Sequence, residues 1–183
     1  MRPASPACLA LAALSASAFA HNPVNIARTA EGRLTHHIHA EQPEPLNPSV
    51  FPEYPGWCDF DVAIEALEED DEKDGLFTLD PAADIELLVV SSDPGVRVAF
   101  NLGQFIEPGS GFNLGHSYFH YHPAWNIFEG QVGSVYEITF MLRDHTGTYS
   151  DSEPFKVSFT PIPAPGAMAA FGVAAAVCLR RRR

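Results

Sequence analysis

Gly133-Ser134-Val135-Tyr136-Glu137-Ile138-Thr139-Phe140 is the stretch that decides the fold class. A turn glycine leads into a run whose Tyr136, Ile138 and Phe140 share one face, while Glu137 and Thr139 take the other. Successive side chains of an extended chain point to opposite faces, so the alternation predicts a half-buried strand over residues 135–142. The same kind of segment recurs to either side. Residues 155–159 and 96–102 alternate, and residues 85–90 form an apolar run of strand length. Residues 57–67 alternate imperfectly through Phe60, Val62 and Ile64, and residues 34–39 and 118–122 fit shorter strands. Turn formers separate them: Asp93-Pro94-Gly95, Pro108-Gly109-Ser110-Gly111 and the charged run from Glu68 to Gly75. Short strands between such turns predict an all-β domain, a small antiparallel β-sandwich of the immunoglobulin-like kind, over residues 56–160. Trp125 and Tyr136 are expected in its core. Residues 21–55, rich in Pro, Asn and His, are expected as an extended N-terminal arm. Within it residues 42–48 read as a loop, because proline lacks a backbone donor and restricts its neighbour.

The two ends carry addresses. Residues 1–20 have a basic start at Arg2, an apolar stretch and a closing Ala18-Phe19-Ala20. Small residues at these positions before a cut are what signal peptidase accepts, so the expected mature chain begins at His21. No cysteine sits where a lipoprotein cut would need one. At the other end Pro161-Ile162-Pro163-Ala164-Pro165-Gly166 precedes an apolar run that ends in Arg180, Arg181, Arg182 and Arg183. The apolar run suits a transmembrane helix, and the arginines hold the cytoplasmic side. This order over residues 161–183 resembles the PEP-CTERM sorting signal, with Pro163, Ala164 and Pro165 in place of the usual Pro-Glu-Pro. The resemblance implies cleavage by an exosortase after transient anchoring in the membrane. It also implies a final place in the cell envelope, at the cell surface or in an extracellular polysaccharide matrix.

The chain has 23 acidic and 11 basic side chains. Five of the basic ones, Arg2 and the four terminal arginines, lie in the end segments, so the middle carries 23 negative against 6 positive charges. A formal charge of −17 there repels nucleic-acid phosphates and excludes nucleic-acid binding, while it suits a surface that meets cations. Of the 3 cysteines only Cys58 lies in the middle, where it reads as a buried, inert thiol without an internal disulfide partner.

Histidine carries the candidate chemistry. His120 and His122 lie two apart on an expected strand and so project together, with Tyr121 toward the core. Two imidazoles on one face offer neutral nitrogen ligands for Zn²⁺ or Cu²⁺. His37 and His39 have the same parity, and four imidazoles converge if the two strands lie side by side. His116 is a further candidate. The bland alternative is a set of histidines that only shape a loop. Asp70-x-Glu72-x-Asp74-Gly75 looks like the start of a calcium loop, but its twelfth position is Pro81, so a solvated acidic hairpin is the favoured reading. An N-terminal His21 with a second imidazole from His36, His37, His116 or His120 would form the histidine brace of copper oxygenases. Nucleophile elbows, phosphate loops and His-Glu-x-x-His helices are absent from the sequence.

Residues 112–159 bear a second likeness. His120-Tyr121-His122-Pro123-Ala124-Trp125, followed by Gly133-Ser134-Val135-Tyr136, resembles a module of bacterial surface-anchored proteins with a Gly-His-x-His-x-x-Trp core. That module includes PEP-CTERM proteins under a zinc-responsive repressor. The resemblance implies a role in zinc-limited surface binding. The expectation is therefore a non-enzymatic envelope or matrix protein with a histidine-based metal site. A structural or adhesive module without metal is the alternative, and a copper oxygenase the second.

Overall fold

The computed structural model describes residues 23–38 and 42–164. Among these residues there are thirteen strands and no helix, hence none long and apolar enough to cross a membrane. In chain order they are β1 (Val24–Arg28), β2 (Leu34–Ile38), β3 (Glu44–Leu46), β4 (Trp57–Asp59), β5 (Ile64–Ala66), β6 (Ile85–Ser92) and β7 (Val96–Asn101). The rest are β8 (Gln104–Phe105), β9 (Gly111–Gly115), β10 (His120–Tyr121), β11 (Ala124–Ile127), β12 (Tyr136–Asp144) and β13 (Phe155–Pro161). They pair into three sheets ordered β10-β5-β1-β2, β4-β11-β7-β8 and β3-β13-β12-β6-β9. Most neighbours run antiparallel; β1 with β5 and β13 with β3 run parallel. The all-β, antiparallel-rich class read from the alternation is present.

The five-stranded sheet follows directly from that alternation. Ile138, Phe140 and Leu142 of β12 are buried, as are Phe155, Val157 and Phe159 of β13 and Ile85, Leu87 and Val89 of β6. Register sets Phe140 beside both Phe155 and Val89, and Leu142 beside Leu87. Such cross-strand apolar pairs are the unit of sheet stabilisation. They meet Val24, Ile26 and Ile64 from one further sheet and Val98, Trp125 and Ile127 from the other in a single core. Trp125 is fully buried, with Phe159 at 5.0 Å and Phe140 edge-on at 5.9 Å. Its indole N–H donates to the Val62 carbonyl at 2.7 Å, which removes the cost of burying that polar atom.

The N-terminal segment differs from the expected arm. Residues 24–46 contribute β1, β2 and β3, and β1 lies inside its sheet between β5 and β2, with Val24, Ile26 and Ala27 fully buried. The proline-rich loop expected at residues 42–48 contains β3, whose Pro45 is accommodated because β3 is an edge strand and needs fewer donors. The single strand expected over residues 57–67 is two. Asp59 Oδ1 accepts from the backbone N–H groups of Phe60 and Asp61, at 2.7 and 2.9 Å, and turns the chain from β4 in one sheet to β5 in another. Four consecutive residues of β11 are buried because β4 and β7 flank it and both its faces are covered. Trp125 and Ile127 enter the main core, and Ala124 joins Tyr54, Cys58 and Ala99 in a second cluster.

Candidate functional site

The site grows from a short edge. β10 pairs antiparallel with β5, setting His120 beside Glu65 and Tyr121 beside Ile64. Ile64 is fully buried, and Tyr121 packs on the core with it. The pleat therefore turns His120 and Glu65 to the outer face of the sheet. Pro123 ends the short strand, and the chain passes on to β11.

His120 and His122 do come together. Their Nε2 atoms are 3.0 Å apart, with ring centroids 4.9 Å apart. Each ring is pinned from behind. Nδ1 of His120 lies 2.8 Å from Glu65 Oε2, and Nδ1 of His122 lies 2.8 Å from the Phe60 carbonyl oxygen. Carboxylate and carbonyl oxygens accept only, so both Nδ1 atoms carry hydrogen and donate. The Nε2 lone pairs of the neutral rings then face each other. Two lone pairs at that distance repel, and the arrangement calls for a shared proton or a shared cation between them. An imidazole whose other nitrogen donates to a carboxylate or a backbone carbonyl is the orientation that metal-ligating histidines take.

The pair sits between two hollows. One, of about 300 Å³, is lined by Glu65, Leu67, Glu68, Ser117, Tyr118 and His120. The other, of about 240 Å³, is aromatic and apolar, lined by Phe51, Tyr54, Phe60, Leu102 and His122 among others. Tyr118 stands 90% exposed at the rim of the first. The side chain of His120 is 51% exposed and that of Glu65 21%, so the imidazole faces solvent while the carboxylate behind it is largely covered.

The remaining sequence candidates lie elsewhere. His37 is on the opposite edge of the same sheet. Register runs from His120 to Glu65, Asn25 and then His37, so three inter-strand steps, about 14 Å, separate the two histidines. The side-by-side arrangement that would join them does not occur, because β5 and β1 intervene. His39 and His21 lie outside the described residues, as do Pro165 and the four arginines of the sorting segment; Pro163 and Ala164 follow β13 without regular structure. His116 ends a loop contact instead, with Nδ1 2.9 Å from the Ala83 carbonyl oxygen. His36 stacks on Phe155 at 4.0 Å, and burial, then the neighbouring His37, lowers its pKa. Among the described residues, no group of three or more His, Cys, Asp or Glu side chains gathers to hold an ion.

The acidic turn is used locally. Asp70 Oδ1 accepts from the Thr78 N–H and hydroxyl at 2.7 and 2.9 Å, and these bonds hold its carboxyl below the usual range. Asp71 Oδ1 accepts from the N–H groups of Lys73 and Asp74. These hydrogen bonds shape the hairpin. Cys58 is buried, and desolvation, then the charge of Asp59, pushes its thiol up to about 12, the state of an unreactive packed side chain.

Glu65 and the Phe60 carbonyl were not among the sequence candidates. Both lie more than fifty residues from the histidines they orient; the pairing of β10 with β5 brings Glu65 there, and the turn between β4 and β5 brings Phe60. Comparison with protein-family models, with curated proteins and with solved structures finds no match to this chain.

Proposed function

We propose that this chain is a non-enzymatic protein of the cell envelope or extracellular matrix, an immunoglobulin-like β-sandwich that holds a zinc or copper ion between His120 and His122. The observation that carries the reading is the facing of the two Nε2 atoms at 3.0 Å, with both Nδ1 atoms committed to acceptors. Nitrogens bound about 2.0–2.1 Å from a tetrahedral zinc stand roughly 3.3 Å apart. At adjacent corners of a square-planar copper they stand about 2.8 Å apart. The spacing falls between the two, so either ion is seated by shifts of a few tenths of an ångström, and the spacing does not choose between them. Glu65 adds negative charge behind His120 and raises the basicity of its ligating nitrogen.

The terminal segments supply the location in this reading. Signal peptidase removes residues 1–20, and the PEP-CTERM-like tail brings the chain to an exosortase through a transient membrane helix. The acidic middle region then attracts cations at the surface, where polysaccharide is the expected surrounding. Elemental analysis of the untagged chain, after loading with zinc or copper and dialysis, tests the proposal. Retained ion that is lost in the His120→Ala/His122→Ala variant supports it. Ion content unchanged by that variant, or no retained ion, overturns it.

A second reading rests on the same contact. With a proton in place of the ion, the pair is an imidazole–imidazolium hydrogen bond balanced by Glu65, and the domain is a structural or adhesive module. The double variant would then cost stability, about 1–2 kcal/mol, rather than metal.

A further inference from the structure

We infer that the hollow between β5 and the loop leading into β10 binds an amine-bearing sugar, a glucosamine unit of a matrix polysaccharide. The inference rests on the matrix reading only for the source of that sugar, and on the metal reading not at all. The walls are set by the fold. β5 and the residues after it give Glu65, Leu67 and Glu68, and the loop gives Ser117 and Tyr118 on the facing side. The Ala66 N–H donates to the Phe119 carbonyl at 3.0 Å, and Phe119 is buried, so the two walls are tied together and the hollow is formed in advance. Its volume of about 300 Å³ lies at the small end of ligand sites and suits a single sugar ring.

Three features of the walls choose the ligand. Ser117 is 5% exposed, and its hydroxyl has no hydrogen-bond partner among the described residues. A buried hydroxyl in that state is costly, and a ligand hydroxyl entering the hollow beside it supplies the partner. Glu65 and Glu68 both line the hollow, and Glu68 is exposed. Glu65 counts for its charge alone, because its carboxylate already holds His120. Two negative groups, in a region of formal charge −17, select a cation over a neutral or acidic ligand. Tyr118, 90% exposed, offers a ring whose negative face attracts an ammonium or the polarised C–H bonds of a sugar. Tyr118 by itself is not the aromatic cage that a quaternary ammonium takes, whereas a carboxylate pairs best with N–H donors. A primary amine on a sugar ring answers all three features: ammonium to Glu68, ring face to Tyr118, hydroxyl to Ser117.

Calorimetry of the full untagged chain with a short glucosamine oligosaccharide tests the inference. A chelator is kept present, so the outcome is read separately from the metal test above. Binding is expected. The fully N-acetylated oligosaccharide, with the same rings and no charge, should bind about tenfold more weakly or worse. Glu68→Gln should also weaken binding about tenfold, and Tyr118→Ala about threefold to fivefold. Both side chains are exposed, so neither change disturbs the fold. Ser117→Ala removes the unpartnered hydroxyl and should weaken binding without lowering the unfolding temperature. No binding, equal binding of the acetylated oligosaccharide, or affinity unmoved by Glu68→Gln and Tyr118→Ala would overturn the inference. A lysine peptide of equal charge that binds as tightly would overturn it too, because charge alone would then be what the hollow recognises.

Discussion

Strands β10 and β11 are separated by only two residues, yet they do opposite work. β11 buries all four of its residues and sends Trp125 into the centre of the core. β10 buries only the Tyr121 side and leaves His120 half in water on a sheet edge. The difference comes from neighbours rather than from composition. β11 lies between β4 and β7, so both its faces and both its edges are covered, whereas among the described residues β10 pairs with β5 alone. A covered strand can be read by what it costs to disturb. An edge strand is free to present ligands, because a change there removes little packing.

The comparison breaks first at Trp125. Trp125→Ala removes the largest buried side chain and its bond to Val62, and should cost about 3–5 kcal/mol in urea denaturation. A loss below 1 kcal/mol would mean that β11 does not carry the core.

Gly56 sharpens the same point from the loop that closes over β11. Its φ is +95°, and an added Cβ would sit 2.2 Å from the Ile127 carbonyl oxygen, against backbone that cannot yield cheaply. Gly56→Ala should lower stability by about 2–3 kcal/mol, measured by thermal unfolding. Glycine here answers both a left-handed conformation and a close approach of two backbones.

Asp144 contrasts a buried polar group with the exposed histidines. Burial alone would raise its pKa, but donors from the Thr146 N–H and hydroxyl, the Asp84 N–H and the Tyr149 N–H outweigh it and hold the carboxyl below the usual range. A depressed carboxyl contributes stability that is fully present above the unfolded pKa, about 3.9, and is lost as pH falls through the lower folded value. Asp144→Ala should cost about 2 kcal/mol at neutral pH, and the gap to the native chain should close progressively below about pH 4. A gap that stays constant into acid would contradict the role given to its hydrogen bonds.

The smallest change to stability is expected at Glu65. Its carboxylate orients His120 without entering the core, so Glu65→Gln should shift unfolding by about 0.5 kcal/mol or less while weakening zinc binding 10–100-fold, as read by calorimetry. Equal affinity in the two chains would remove Glu65 from the site.

These residues also mark how far the sequence could be read. Strands β12 and β13 stand in the alternation itself, because one face of each meets the core and the other is only partly covered, while β7 alternates through Val96 and Val98 and β6 reads as an apolar run of strand length. β11 is hidden for the opposite reason, since burial on both faces erases the period of two. β3 is hidden behind Pro45, and β1 within a stretch whose Pro, Asn and His content resembles loop. The split at Asp59 was masked because Phe60, Val62 and Ile64 keep an apparent alternation across the turn. For the site, the parity of His120 and His122 was legible. Strand order was not. Spacing alone could not show that His37 stands three strands away or that Glu65 and Phe60 stand behind the pair.

The imidazole nitrogens themselves give the most direct test. Long-range ¹H–¹⁵N spectra of the labelled chain report the protonation of each ring nitrogen before and after zinc. The account predicts that His120 and His122 both carry hydrogen on Nδ1, and that zinc moves their two Nε2 signals together while the Nδ1 signals stay those of N–H groups. Nε2 signals that do not respond to zinc, or a response confined to other histidines, would contradict it.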